Sequence, residues 1–132
     1  MLAAGERVVE LLLQRGAENK LQSGSGSTAL MLAATNGHED VVDILLQRGA
    51  EINKQSTNGG DQQDGNDHTA LMLAADSGHE RVVELLLQHG AKINLQNSDG
   101  GTALMSAAFN GHERVVELLL QHGAEINLQD SD

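Results

Sequence analysis

Apolar residues in this chain occur in short clusters separated by polar, glycine-containing segments. In the last third of the sequence, Leu104, Ala107 and Ala108 follow Thr102 at spacings that share one side of a helix. Thr102 can cap that helix by accepting a hydrogen bond from an unpaired backbone N–H, and Gly111 suits a left-handed ending. The pattern therefore predicts a short helix that begins at Thr102 and ends near Gly111.

A second helix is predicted from about Glu113 to Gln121. Its Val and Leu residues cover most of the circumference, a pattern typical of a helix with neighbours on several sides. Gly123 then ends the helix. His122 lies in the last turn, as His89 does one unit earlier, where partial positive charge suits the helix dipole. Because one such helix pair cannot bury its apolar faces alone, several pairs must stack.

The same unit recurs along the chain. The string TALM begins at Thr28, Thr69 and Thr102, positions 41 and 33 residues apart, and the Gly-Ala and Val-Val pairs keep the same steps. A unit of 33 residues therefore repeats, and the longer step contains an insertion of 8 residues. The polar segments between units, such as NSDGG, predict turns.

Composition narrows the class of protein. The 132 residues fit one domain, whose core must consist of Leu, Val, Ile, Ala and Met because the chain has one Phe and no Trp, Tyr or Cys. Without Cys there is no disulfide framework and no thiolate metal site. A formal net charge of -11 disfavours binding to nucleic acid. The sequence has no signal-peptide or transmembrane pattern, so we expect no membrane association and a cytoplasmic or nuclear protein.

Two motifs that resemble catalytic or ligand-binding signatures are rejected. Residues 24–29, GSGSTA, fit a dinucleotide-binding pattern, but no strand precedes them, so a repeat turn is the better interpretation. His38, His79 and His112 each precede Glu, as at the start of a zinc-protease helix, but Val stands where the second His is needed. One His per unit instead indicates a structural role in turn hydrogen bonding.

The inserted loop holds the only local cluster of hard oxygen ligands, Asp61, Asp64 and Asp67 with His68. Its register does not fit an EF-hand, so a solvated acidic loop is the main interpretation and weak divalent-ion binding is the alternative. No Ser, His and acid residues have a sequence reason to converge, and there is no Cys nucleophile. We therefore expect no catalytic residues, no metal site and no cofactor.

The repeated unit resembles the ankyrin repeat, and the resemblance covers nearly the whole chain. In the unit that begins at Thr28, the matching elements are the TALMLAA helix, Gly37-His38, Val41-Val42, Leu45-Leu46, Gly49-Ala50 and Ile52-Asn53. The resemblance implies an all-α ankyrin-repeat solenoid of stacked antiparallel helix pairs with short hairpin fingers.

On this resemblance the chain divides into five segments. Residues 1–22 form a truncated first repeat with only its second helix, and residues 23–55 form a full repeat. Residues 56–68 form an extended finger loop with the 8-residue insertion, which costs about 1 kcal/mol or less in closure entropy. Residues 69–96 form the next repeat, and residues 97–132 form a repeat without a C-terminal cap. We expect the uncapped terminal repeats either to stack on other copies or to adjoin further sequence.

Two positions depart from the family pattern Thr-Pro-Leu-His. Alanine replaces the proline, and methionine replaces the histidine at Met31, Met72 and Met105. Alanine lacks the preset backbone angle of proline, and methionine is expected to lose the hydrogen bonds that the histidine makes. These departures predict lower stability and softer packing.

The resemblance also implies that a partner protein binds the concave face, which comprises the finger tips and the ends of the first helices. The matching helix-end residues are Thr35, Asn36, Asp76, Ser77, Phe109 and Asn110, and the matching finger residues are Ser25, Ser27, Asp67, His68, Ser98 and Asp99. Phe109 is the only aromatic residue, and aromatic side chains are enriched among interface hot spots. It either anchors a partner or packs over Ser77 or a following repeat.

Two functional hypotheses follow. The first is a protein–protein interaction module that binds a partner protein of unknown identity through the concave face and finger tips. The alternative is an engineered or structural ankyrin-repeat protein or fragment with no dedicated ligand, which self-associates through its uncapped ends. The near-identical repeats, the SGSGS segment and the truncated start favour the alternative.

Overall fold

The fold is known from a computed structural model, which describes residues 28–56 and 67–127 together with Arg7 and Leu11 at helical positions. The predicted half repeat at 1–22, the segment 23–27, most of the inserted loop and the last five residues therefore lie largely or wholly outside the described residues. Within the two described ranges the chain forms six helices. They are α1 (Ala29–Asn36), α2 (Glu39–Gln47), α3 (Ala70–Ser77), α4 (Glu80–Gln88), α5 (Ala103–Phe109) and α6 (Glu113–Gln121).

The helices form three antiparallel pairs that stack along one direction. We call α1 and α2 the first pair, α3 and α4 the middle pair, and α5 and α6 the third pair. The first helices of the pairs pack in one row, α1 on α3 and α3 on α5, and the second helices pack in a parallel row. This arrangement confirms the predicted solenoid. None of the six helices in the described ranges is both long and apolar enough to cross a membrane.

A threonine caps the first helix of each pair. The Oγ1 atoms of Thr28, Thr69 and Thr102 each accept a hydrogen bond from the backbone N–H three residues later, at 3.2 to 3.3 Å. In the first two pairs a methionine completes a capping box, because Sδ of Met31 and Sδ of Met72 each accept from the backbone N–H of the capping threonine at 3.4 Å. Methionine therefore still accepts one hydrogen bond at Met31 and Met72, since a thioether sulfur is a weak acceptor and lies within reach.

A glycine in the left-handed region ends the first helix. Gly37 has φ of 73° and Gly78 has φ of 76°, and Gly111 after α5 has φ of 74°. An ideal Cβ built on Gly37 or Gly78 would also lie 2.7 Å from the ring of the histidine in the next pair. Glycine is needed at these two positions for its backbone angle and for the close approach of that ring.

The core lies between the pairs and is most complete in the middle pair. Leu71, Met72, Ala75, Val83 and Leu86 are all at most 2% exposed. The prediction that the second helix is packed on several sides is confirmed for α4, in which four Val and Leu residues are buried. In α6, which has the same sequence, Leu120 is 40% exposed.

The residues at the two ends of the inserted loop, Ser56 and His68, are hydrogen-bonded to each other. The backbone N–H of Ser56 donates to the carbonyl of His68 at 2.9 Å, and the N–H of His68 donates to Oγ of Ser56 at 3.1 Å. Ser56 is buried. The repeats on either side of the insertion therefore keep the packing of uninterrupted repeats. Asp61 and Asp64 lie outside the described residues, so the question of ion binding there stays open.

Candidate protein-binding surface

The ten predicted binding residues within the described ranges lie at the ends of the first helices and in the fingers. The six helix-end side chains are exposed, as are the finger side chains of Ser98 and Asp99, while Asp67 and His68 are half-buried. Ser25 and Ser27 lie outside the described residues. We use the name concave surface for these ten residues: Thr35, Asn36, Asp67, His68, Asp76, Ser77, Ser98, Asp99, Phe109 and Asn110.

The repeated histidines hold the backbone under this surface. Nε2 of His79 lies 2.9 Å from the carbonyl oxygen of Thr35, and Nε2 of His112 lies 3.0 Å from that of Asp76. Because a carbonyl oxygen can only accept, each Nε2–H donates to the preceding pair. The structural interpretation is therefore confirmed for His79 and His112. These contacts use only the main-chain carbonyls of Thr35 and Asp76, so the side chains at these two positions can differ between repeats.

Asn110 links the helix ends of the last two pairs. Its Nδ2 atom donates to Oδ1 of Asp76 at 2.7 Å, to the Asp76 carbonyl at 3.2 Å and to the Ser106 carbonyl at 3.1 Å. In the first pair, Thr35 and Asn36 donate to carbonyls of their own helix at 2.9 and 2.8 Å. These bonds fix side-chain orientation before any partner arrives, which lowers the entropy that binding would cost.

The fingers are joined by side-chain contacts that sequence analysis did not identify. Oγ of Ser98 donates to Oδ2 of Asp67 at 3.0 Å, so two predicted residues 31 positions apart meet. Nε2 of Gln55 donates to the carbonyls of Asp67 and Gln96, each at 3.0 Å. Asn97 begins the predicted NSDGG turn, and its Oδ1 accepts from two backbone N–H groups of that turn.

The charge of the concave surface is acidic. Between residues 67 and 78 and between residues 96 and 111, the sequence contains the acidic residues Asp67, Asp76 and Asp99 and no Lys or Arg. Lys and Arg of the described ranges lie in the second helices and the segments that follow them. Burial lowers the pKa of His68, and the carboxylates of Asp76, Asp67 and Asp99 partly oppose that shift. His68 therefore lies within electrostatic reach of all three carboxylates.

Phe109 is the one large apolar side chain on the concave surface, and it is 91% exposed. The interpretation in which it packs over Ser77 is therefore wrong. Thr35 and Asp76 occupy the equivalent position in the other two pairs, and both are exposed although a following pair is stacked on each. The interpretation in which Phe109 packs on a following repeat stays a prediction.

No group of three or more His, Asp or Glu residues suited to hold a metal ion occurs within the described ranges. The rings of His79, His112 and His122 contact backbone carbonyls, and Nε2 of His89 lies 4.0 Å from Oδ1 of Asp43.

Comparison with known families agrees with this architecture. The sequence matches the family described as "Ankyrin repeats (3 copies)" over residues 1–56 and 56–130, which is nearly the whole chain. No curated protein matches it. The repeated capping threonines, the glycine and histidine between the helices and the stacked pairs agree with this match, and the chain belongs to the ankyrin-repeat family.

Proposed function

We propose that this chain binds a partner protein through the concave surface and acts without catalysis. Ankyrin repeats are generally protein–protein interaction modules. The surface is polar, exposed and held in place by bonds within and between the helix ends, as a preorganised binding surface requires.

The exposure of Phe109 is the observation that carries the proposal. Its 91% exposed ring contributes nothing to the packing of the described repeats. The three equivalent positions hold Thr35, Asp76 and Phe109, whereas the histidine three residues later is the same in every pair. The fold thus constrains the framework but not these side chains, so their identity is available for recognition.

The chemistry of the surface also indicates the kind of partner. Asp67, Asp76 and Asp99 favour a partner that presents Lys or Arg, because charge complementarity raises association rates and selects against acidic competitors. Phe109 favours an apolar pocket beside those basic groups. The same acidity disfavours nucleic acid, and we keep the cytoplasm or nucleus as the expected compartment.

The experiment is selection of a displayed peptide library on the full chain, followed by affinity measurement with the selected peptides. We expect basic peptides with an apolar contact, whose affinity falls by about tenfold or more with Phe109→Ala and falls further with Asp76→Asn added. The melting temperature of Phe109→Ala should equal that of the wild type. The control is Ile126→Ala, which truncates an exposed apolar side chain outside the concave surface.

The alternative is that this protein has no dedicated ligand. The same experiment distinguishes this alternative from the binding proposal. If the selected peptides bind wild type and Phe109→Ala equally, the binding proposal is wrong. It is also wrong if no peptide is enriched on wild type relative to a variant in which the eight concave-surface residues other than Ser77 and Ser98 are changed to serine.

A further inference from the structure

The first helix of the middle pair has three side chains that are not buried, and one of them is a leucine. These residues of α3 are Leu73, which is half-buried, and the exposed Asp76 and Ser77. Their spacing of i, i+3 and i+4 places them on one face of the helix. Since a described pair packs on each side of the middle pair, the accessibility of Leu73 does not depend on either end of the chain. Leu73 therefore lies on the same side of the stack as the concave surface.

The other two pairs continue this position into a row. Leu32 in α1 is 50% exposed and Ser106 in α5 is half-buried, and both are equivalent to Leu73. We call Leu32, Leu73 and Ser106 the floor row, which runs along the stack because α1 packs on α3 and α3 packs on α5. Helix-end side chains adjoin the row. Nδ2 of Asn36 donates to the carbonyl of Leu32 at 2.8 Å, and Nδ2 of Asn110 donates to the carbonyl of Ser106 at 3.1 Å.

The fold accepts either a leucine or a serine in the floor row. All three helices begin with the same Thr-Ala-Leu-Met, yet leucine occupies this position in the first two pairs and serine occupies it in the third. Leu32 and Leu73 keep part of their side chains accessible to solvent. Their apolar surface can therefore be covered by a partner.

The acidic side chains of the concave surface accompany this row on the middle and third pairs. Asp76 lies one helical turn after the leucine of the middle pair, and Asp67 and Asp99 lie in the fingers. Oδ2 of Asp67 accepts from Oγ of Ser98 at 3.0 Å, and these donors carry no charge. Oδ1 of Asp76 likewise accepts from the neutral Nδ2 of Asn110 at 2.7 Å. The negative charge is therefore not neutralised, and it selects a partner with Lys or Arg beside its apolar residues.

The spacing of the floor row indicates the conformation of the partner. Packed helices lie about 8 to 10 Å apart, so a segment that runs along the stack meets one floor position in each such interval. Seven residues of an α-helix rise about 10.5 Å and return to the same face. In a strand, residues on one face are about 7 or about 13 Å apart, so neither spacing matches the row. A helix also presents an apolar face and a basic face side by side.

We propose that the partner segment is a basic amphipathic helix that lies along the stack, with its apolar face on the floor row and its Lys or Arg side chains toward Asp67, Asp76 and Asp99. This inference rests on the proposed function and specifies the partner of the same surface. On the third pair the apolar contact shifts from Ser106 to Phe109, which lies three residues later on the same helix face.

The test is titration of the full chain with synthetic peptides of about 18 residues, which is about five turns of helix. The probe peptide has leucines three and four residues apart on one face and lysines on the adjacent face. Two control peptides carry the same number of leucines and lysines, one in strict alternation and one at every third residue between prolines. We expect the probe alone to bind, with a gain in helical circular dichroism. Its affinity should be lost when glutamates replace the lysines, because the concave surface is acidic.

Substitutions in the floor row test the contact itself. Leu73→Ser should lower the affinity for the probe by about tenfold. Serine is compatible with the fold there, because Ser106 occupies the equivalent position. Ser106→Leu should raise the affinity by about threefold, since it extends the apolar row. The matched control is Leu87→Ser, which truncates another half-buried leucine of the middle pair, in the row of second helices, and should leave the affinity unchanged. Melting temperatures measured without peptide show whether each variant is folded.

The outcomes separate this inference from the proposed function. If the alternating or the proline-containing peptide binds as well as the probe, or if Leu73→Ser and Leu87→Ser have equal effects, the helix proposal is wrong. Binding of extended peptides that depends on Phe109 but not on Leu73 would leave the proposed function intact and overturn the helix. Peptide binding that depends on neither residue would contradict both.

Discussion

The middle and third pairs contain the same second helix in two environments. Glu80–Gln88 and Glu113–Gln121 both read ERVVELLLQ, both follow a histidine and both end before histidine and glycine. Val83 is 0% exposed and its equivalent Val116 is half-buried. Leu86 and Leu119 are both 0% exposed. The two helices therefore differ only on the side toward the next pair.

This comparison separates the burial that comes from a helix pair and the pair before it from the burial that comes from the pair after it. Packing within a pair and against the preceding pair is present in both helices, since Leu119 and Val115 are as buried as their equivalents. The packing that the third pair lacks comes from a following pair. In a stack whose stability is a sum of intrinsic and nearest-neighbour contributions, one substitution at equivalent positions should therefore have two different costs.

Alanine at the glycine that ends the first helix should give the largest difference between the pairs. Gly78→Ala is expected to lower the free energy of unfolding by about 3 kcal/mol, because the left-handed angle strains alanine and its Cβ displaces the His112 ring from the Asp76 carbonyl. Gly111→Ala should cost about 1 kcal/mol, since only the strain applies. Urea unfolding of the monomeric chain measures both. Equal costs would show that the histidine contact contributes nothing.

Truncation of the paired valines should give the next largest difference. Val83→Ala removes methyl groups from a fully buried site and should cost about 2 kcal/mol, while Val116→Ala should cost about 1 kcal/mol. Because the helices have the same sequence, helix propensity cancels between the two variants. The comparison fails if Val116→Ala costs as much as Val83→Ala at concentrations where the chain is monomeric.

The asparagine after each second helix gives a smaller contrast. Oδ1 of Asn53 accepts from the N–H of Lys92 at 2.8 Å, and Oδ1 of Asn94 accepts from the N–H of Glu125 at 2.9 Å. Asn94→Ala should therefore cost about 1 kcal/mol, and Asn127→Ala, at an exposed position, should cost less than about 0.3 kcal/mol. Amide exchange at Glu125 should accelerate in Asn94→Ala. Unchanged exchange there would count against the bond.

Local sequence signals predicted the helices but did not predict the contacts between residues that are far apart in the chain. The predicted second helix, Glu113 to Gln121, coincides with α6, because a near-continuous apolar run between histidine and Gly123 leaves little choice of boundary. The bonds of Gln55 to Asp67 and Gln96 were not predicted, since partners 12 and 41 residues away depend on the register of the stack. The exposure of Phe109 was undecided for the same reason.

The same contrast between local signals and long-range contacts applies to the concave surface. Its residues were chosen by their repeat positions, and the structure brings Asp67 to Ser98 and Asp76 to Asn110, which are contacts between neighbouring repeats. Whether those residues bind a partner remains a prediction, because side chains that the fold does not constrain leave no packing signal in the sequence.

The finger of the middle pair should give the smallest effect, because His68 stands there at the position that Gly101 occupies in the third pair. Burial lowers the pKa of His68 below its ordinary value of 6.5, so the unfolded chain takes up a proton before the folded chain does. His68 should therefore reduce the free energy of unfolding as pH falls from about 6.5 toward its lower folded-state pKa.

Urea unfolding at pH 7.5 and 5.5 tests this prediction. The free energy of unfolding should fall less between the two pH values for His68→Gln than for wild type. Asp99→Asn should enlarge the loss, because it removes a carboxylate that stabilises the charged ring. A larger loss in His68→Gln would instead mean that the three carboxylates outweigh burial, and the finger would then gain stability on acidification.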